Sequence, residues 1–372
     1  MTRPVVLIFH RPAAAGEPAL VRFLAEVREE LVARQARMFR AAGAMEVRLL
    51  TDWHEDLSFG EVLRGLAPHG RGGLVVLGSG AVPRLRPADA RALVAVAAAG
   101  GRVALTNNRY SSDVCAIAEA ATLATLPSLD SDNALPRWLE ERAGYGVSEL
   151  PGRDRLALDL DTPLDVALAA LAARAPAWLI AAARAEGVAV PRHEELRGLA
   201  ADPYRELLVF GRSGSATLRW LERNVRCRVR FLAEERGLRA SSPLAIAGGT
   251  APTPPQGQPR ATLGLLLDDT GAPALADIVA SLADGAVIDS RVLLAHRLGA
   301  DESAWPSAAD RFASDLLRPE IVADQWLAAL TGSAVESSIP IVLGAHTLVG
   351  PGLPLLLGPR LKEEAGRAFV HL

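Results

Sequence analysis

In the first half of the chain, short apolar runs alternate with stretches of helical periodicity, the pattern of a sheet covered by helices on both faces. Val5–Phe9 is one such run and is predicted as a buried strand. Downstream, Leu20, Phe23, Leu24, Val27 and Leu31 recur near helical spacing, which predicts a helix over 19–42 stopped by Gly43. Strands are predicted over 46–51, 73–77 and 102–106, separated by helices over 59–66 and 87–99. A helix over 133–142 and a strand over 156–160 close this half. The strand runs into Asp161-Thr162-Pro163, where Thr162 can cap a further helix with Pro163 in its first turn.

The second half repeats the layering without copying it, and shows no repeat of fixed period. Residues 175–202 read as helical and join the halves. A strand over 206–210, the turn GRSGS (211–215), a helix through Trp220 and a strand over 227–232 form a second strand–helix–strand unit. Residues 241–260, which contain TAPTPPQGQP, read as a mobile loop. A strand over 262–267, a helix over 274–282, the strand-like AVIDSRVLLAH, a helical region to Leu330 and a strand over 339–343 follow. The expectation is two α/β domains, a Rossmann-like mixed sheet over 1–185 and a second α/β domain of unrecognised family over 186–372.

Composition narrows the partners. The chain has 372 residues, half of them hydrophobic, enough for two cores. Its 40 basic and 43 acidic residues give a net charge of -3, so no global basic field favours nucleic acid. Lys362 is the sole lysine, so an anion site here must use Arg forks, helix N-termini or backbone amides. Cys115 and Cys227 lie far apart in apolar segments, which suits structural thiols in a reduced, cytoplasmic chain. The opening apolar run is too short for a signal peptide. The Ala-rich stretch 164–190 is broken by Arg174, Pro176 and Arg184, so no membrane partner is expected. Oligomeric state is not readable from these features.

Three stretches carry a resemblance. They are LVARQARMFRAAGAMEVRLLTD (31–52), GGLVVLGSGAVPRLRPADARALV (72–94) and SDNALPRWLEERAGYGVSELPGRDRLALDLDTPLDV (131–166). In this order they resemble the MobA-like nucleotidyltransferases, which use a Rossmann-like fold of the glycosyltransferase-A type. The most specific part is a D-x-D-T-P-x-D pattern, met by Asp159, Asp161, Thr162, Pro163 and Asp165. Two departures stand out. The family's Gly-rich phosphate loop with its basic residue is here HRPAAAGEPALVRF, with one glycine and no lysine. The family's metal-binding turn is here Gly78-Ser79-Gly80-Ala81, with no carboxylate.

The resemblance implies binding of a nucleotide and transfer of a nucleotidyl group to a phosphorylated small molecule, with Mg2+ as cofactor. It places Asp161 as a metal-binding and catalytic residue. Phosphate would fall to Arg11 and Arg22, helped by His10, and the rest of the nucleotide to Ser79, Asn107, Asn108 and Asp132. The altered motifs keep open a non-catalytic nucleotide- or partner-binding protein on a degenerate transferase scaffold.

Other constellations have two readings each. TNNRYSSD (106–113) follows a strand, where open α/β sheets bind ligands, yet the same residues make an Asn-rich turn before a capped helix. GRSGS offers backbone amides to a phosphate, or a tight turn with a Ser N-cap. The AEERGLR run (233–239) is a solvated face or the rim of a polar site. Asp289, Arg291, His296, Asp310, Asp315 and His346 punctuate apolar segments. They form either a buried Asp–Arg network or a second active site, with Asp289 and His346 as acid–base or metal-binding candidates. A Ser290-His296-Asp315 hydrolase lacks a G-x-S-x-G elbow. Trp178, Trp220, Trp305 and Trp326 read as packing residues.

Overall fold

The computed structural model describes residues 3–54, 57–66, 72–129, 132–234 and 259–358. Within them the chain forms two compact units, one of residues 3–17 and 22–161, the other of 18–21, 162–234 and 259–358. The sequence pattern drew the line at residue 185, whereas the helices between 162 and 185 fall in the second unit.

In the first unit, β1 (Val5–Phe9), β2 (Glu46–Leu50), β3 (Leu74–Gly78), β4 (Val103–Thr106), β5 (Val114–Ile117) and β6 (Gly146–Glu149) form one sheet, ordered β2-β1-β3-β5-β4-β6. β5 runs antiparallel to β3 and β4, and the remaining pairs are parallel. The sheet is therefore mixed. Helices α1 (Ala19–Ala41), α2 (Phe59–Gly65), α3 (Pro87–Ala97) and α4 (Leu135–Glu141) cover it.

Strand alternation sorts the core into two layers. Val6 and Ile8 of β1 join Phe39 of α1 and Leu93 of α3 on one face. Leu7 of β1 joins Leu63 of α2 and Trp138 of α4 on the other. A strand buried on both faces has no polar positions to show, which is why β1 reads as an unbroken apolar run. Cys115 belongs to the second layer, where burial pushes its thiol up; neither it nor Cys227 forms a disulfide.

Three elements of this unit differ from expectation. β5 and β6 are strands that the pattern did not place. The segment 156–160 is not a strand: a short helix, α5 (Arg153–Leu156), precedes it, and among the described residues its ladder contact is an isolated antiparallel bridge between Ala81 and Asp159. The alternation of Leu156, Leu158 and Leu160 is real, and all three are buried, but the sheet supplies no neighbour beyond that bridge.

The second unit opens with α6 (Pro163–Ala170), α7 (Ala177–Ala185) and α8 (His193–Ala201). α6 starts as expected: the Thr162 hydroxyl accepts the Asp165 N–H, and the Asp165 carboxylate accepts the Thr162 N–H at 2.8 Å. β7 (Glu206–Gly211), β8 (Arg228–Ala233), β9 (Gly285–Asp289) and β10 (Ile341–Gly344) form a wholly parallel sheet ordered β10-β9-β7-β8. α9 (Ser215–Asn224) connects β7 to β8.

Here too a predicted strand is replaced. Residues 262–267 lie in a helix, Thr262–Thr270, with Leu263 and Leu267 buried one turn apart and Leu265 and Leu266 exposed. AVIDSRVLLAH divides at Asp289. That residue ends β9, and its side chain accepts the Arg291 N–H to cap the helix Ser290–Leu298. The predicted loop lies outside the described residues from 241 to 258.

Candidate functional site

β3 and β4 run parallel, and their carboxyl ends carry Gly78-Ser79-Gly80 and Asn107. Asn107 is almost fully buried and saturated by its surroundings. Its carbonyl oxygen accepts the N–H groups of Asp113 at 2.9 Å and Val114 at 3.2 Å. Its amide donates to the Asp113 carboxylate at 2.6 Å and to the Leu156 carbonyl at 2.9 Å. Asn107 therefore holds Asp113 in place rather than presenting itself to a ligand.

The turn after β3 meets the segment leading to Asp161. Leu160 donates its N–H to the Gly80 carbonyl at 3.1 Å. A Cβ on Gly80 would stand 2.8 Å from both the Asp159 carboxylate and the Leu160 carbonyl, so this approach requires glycine. Arg28, on α1, clamps the same segment. Its Nε donates to the Leu160 carbonyl at 2.8 Å, and a terminal nitrogen donates to Asp161 at 3.1 Å.

Arg28 thus acts on Asp161 and Asp159, and Asp113 and Asp132 lie within electrostatic reach of Asp161. Burial, the neighbouring Asp132 and Asp161 push Asp113 up to about 8, against the hydrogen bond from Asn107. Burial and Asp161 push Asp132 up to about 7. Burial raises Asp159 well above the usual carboxylate range, with Asp161 and Asp113 adding to it and Arg28 opposing. Burial and mutual repulsion thus favour the protonated forms of Asp113, Asp132 and Asp159.

The sequence candidates divide accordingly. Asp132 and Asp161 come together, and Asp113 and Asp159 join them. Ser79 is buried and gives its N–H to the Phe9 carbonyl. The Asn108 carboxamide accepts the Tyr110 N–H at 3.1 Å, and the Asn133 carboxamide accepts the Ser111 hydroxyl at 2.7 Å, so TNNRYSSD is in part a turn. Arg11 stacks over Trp53 at 4.9 Å, and Arg22 is exposed on α1. Arg28 was missed by sequence reasoning. It is one arginine among many on a helix, and only the fold carries it to a residue 133 positions away.

In the second unit the C-terminal constellation separates into two groups. Arg291 grips Asp315 through both terminal nitrogens, one of them at 2.6 Å, and also donates to the Ser290 hydroxyl at 3.0 Å. Asp289 accepts the Arg291 N–H at 3.1 Å and the Arg212 N–H at 3.4 Å. Gly211, at φ +130, lets β7 pass against Asp289: a Cβ there would lie 2.2 Å from that of Asp289. His296 stands apart from this network. Its Nδ1 accepts the Ala261 N–H at 3.0 Å and its Nε2 lies 3.1 Å from Asp268. Asp310 accepts the Ala323 N–H at 2.7 Å, and His346 opens the short helix after β10. GRSGS has no Ser N-cap. Gly214 precedes α9, and the Ser213 hydroxyl donates instead to the Val349 carbonyl at 2.5 Å. Of the AEERGLR run, residues 235–239 lie outside the described residues.

No family model and no curated protein matches the chain.

Proposed function

We propose that the first unit is a diverged MobA-like nucleotidyltransferase, of glycosyltransferase-A type, that binds a nucleotide beside Asp113, Asp132, Asp159 and Asp161. The observation that carries this reading is the meeting of the Asp159–Asp161 segment with the turn after β3 at Gly80, with Asp113 and Asp132 within electrostatic reach. The mixed sheet agrees with the fold that the resemblance implies. The turn after β3 carries no carboxylate of its own, but Asp159 brings one against Gly80.

Magnesium suits this donor set. Among the described residues, no three His, Cys, Asp or Glu side chains are arranged to hold a metal ion on their own. Magnesium commonly takes one or two carboxylates and completes its shell with substrate phosphates. Asp161, with Asp159 beside it, would hold it, and when bound it would neutralise triphosphate charge. The remaining work falls to the chain itself. Arg28 fixes the backbone at Leu160 and the direction of Asp161, and Asn107 fixes Asp113. In the proposed reaction an oxygen of the acceptor phosphate bonds to the α-phosphorus of a nucleoside triphosphate as the bond to pyrophosphate breaks.

A second reading, non-catalytic binding on the same scaffold, is favoured by the Arg28–Asp161 pair, which already neutralises one of the carboxylates. Pyrophosphate release separates the two. Incubating the full chain with each nucleoside triphosphate, magnesium and a panel of phosphorylated acceptors yields pyrophosphate under the first reading. Nucleotide binding with no release for any pairing supports the second.

A further inference from the structure

A hollow of about 440 Å³ opens elsewhere in the first unit, between α1 and the edge strand β2. Three periodicities build it. Ile8 and His10, two residues apart, reach it from the end of β1, and Val47, Leu49 and Thr51 reach it from alternate positions of β2 and beyond. From α1 come Glu29, Val32, Ala33, Ala36, Arg37 and Arg40, a single helical stripe. Ala33 and Ala36 explain the space: larger side chains there would fill it.

Its inner end holds an unusual group. His10 is 2 % exposed, and neither ring nitrogen has a hydrogen-bond partner. The Glu29 carboxylate lies 3.6 Å from Nε2, within ion-pair range and beyond hydrogen-bond reach. A buried imidazole without a hydrogen bond destabilises the fold, so its presence points to a partner that enters the hollow. At the other end Arg37 and Arg40 stand exposed at the rim. On the opposite face of β2, Glu46 and Arg48 pair with each other, which discourages a second chain from extending the sheet at this edge.

We infer that this hollow binds a small, apolar-bodied carboxylate that carries a hydroxyl at its far end. The carboxylate meets Arg37 and Arg40, the body covers Val32, Ala33, Val47 and Leu49, and the hydroxyl bonds His10. The volume falls within the range of ligand pockets, about 300 to 1,000 Å³. This site is separate from the carboxylate group around Asp161 and does not depend on the nucleotide reading.

The test uses 6-hydroxy-2-naphthoate as a fluorescent probe of the full chain, with 2-naphthoate and 2-naphthol as controls. Saturable one-to-one binding is expected, with each control weaker. Ala33→Trp should abolish it, and Arg37→Glu with Arg40→Glu should weaken it about tenfold. His10→Phe, which keeps an aromatic ring and removes both nitrogens, should remove the preference for the hydroxylated probe while leaving 2-naphthoate binding unchanged. Circular dichroism confirms that each variant is folded. Three results would overturn the proposal: no saturable binding at millimolar probe, binding unaltered in all three variants, or competitive displacement of the probe by a nucleoside triphosphate.

Discussion

Asn107 and Asp113 are tied to each other twice, by an amide-to-carboxylate bond of 2.6 Å and by a backbone N–H of Asp113 that returns to the Asn107 carbonyl at 2.9 Å. The pair closes the loop between β4 and β5 and sets the position of one of the four carboxylates. Asn107→Ala strips partners from two N–H groups, a carbonyl and a carboxylate. We expect a loss of about 2–4 kcal/mol in the urea unfolding free energy. A loss below about 0.5 kcal/mol would mean that the loop does not depend on this residue.

Folded-state pKa values above the ordinary 3.8 mean that folding takes up protons at Asp113, Asp132 and Asp159. The stability they contribute is complete below their unfolded value and is lost as the pH rises through about 7 and about 8. The unfolding free energy should therefore fall between pH 4 and pH 8, by up to about 1.4 kcal/mol per pH unit for each proton released. In the double variant Asp113→Asn, Asp132→Asn the slope should flatten. Wild-type and variant slopes that coincide would contradict the coupling.

Gly80→Ala places a methyl group against the Asp159 carboxylate and the Leu160 carbonyl, each 2.8 Å away. We expect a destabilisation of about 1–3 kcal/mol and a lower affinity for magnesium nucleotide than in the wild type, both measurable on the folded fraction. Gly78→Ala, with nothing within 4 Å of the added atom, is the control and should change neither.

The buried network of the second unit predicts a contrast. Asp315→Ala leaves Arg291 as an unpaired cation inside the protein and should cost about 3–5 kcal/mol. Asp289→Ala removes a helix cap and the acceptor of the Arg212 N–H, and should lower the melting temperature clearly. An Asp289→Ala protein that melts like the wild type would favour a functional role for that carboxylate.

Legibility followed burial and length. β1 and β3 are apolar on both faces and were readable as unbroken runs, and the Thr162-Pro163 junction was readable from capping chemistry alone. β5 is four residues of VCAI, and the six residues TLGLLL at 262–267 are similar in kind; so short an apolar run does not reveal its period, and one proved strand and the other helix. β6 buries only Val147, too little to mark a strand. At the site, Asp132 and Asp161 were legible because strand ends bind ligands and a motif resembled one already known. Ser79 and Asn107 were legible as polar tips, but their bonding turns inward, which depends on neighbours that sequence spacing does not show. Arg28, and the burial of a His10 that the sequence offered only as a phosphate contact, became visible only once α1 was laid against the sheet.

The central claim is that the carboxylates around Asp161 take a nucleotide together with a cation. Calorimetry of the full chain at pH 7 with nucleoside triphosphates, with and without magnesium and in two buffers of different ionisation enthalpy, tests it directly. The account predicts magnesium-dependent binding of at least one nucleotide, proton release as Asp132 and Asp113 give up their protons, and about tenfold weaker binding in Asp161→Asn. No binding of any nucleotide at millimolar concentration, with or without magnesium, would contradict it.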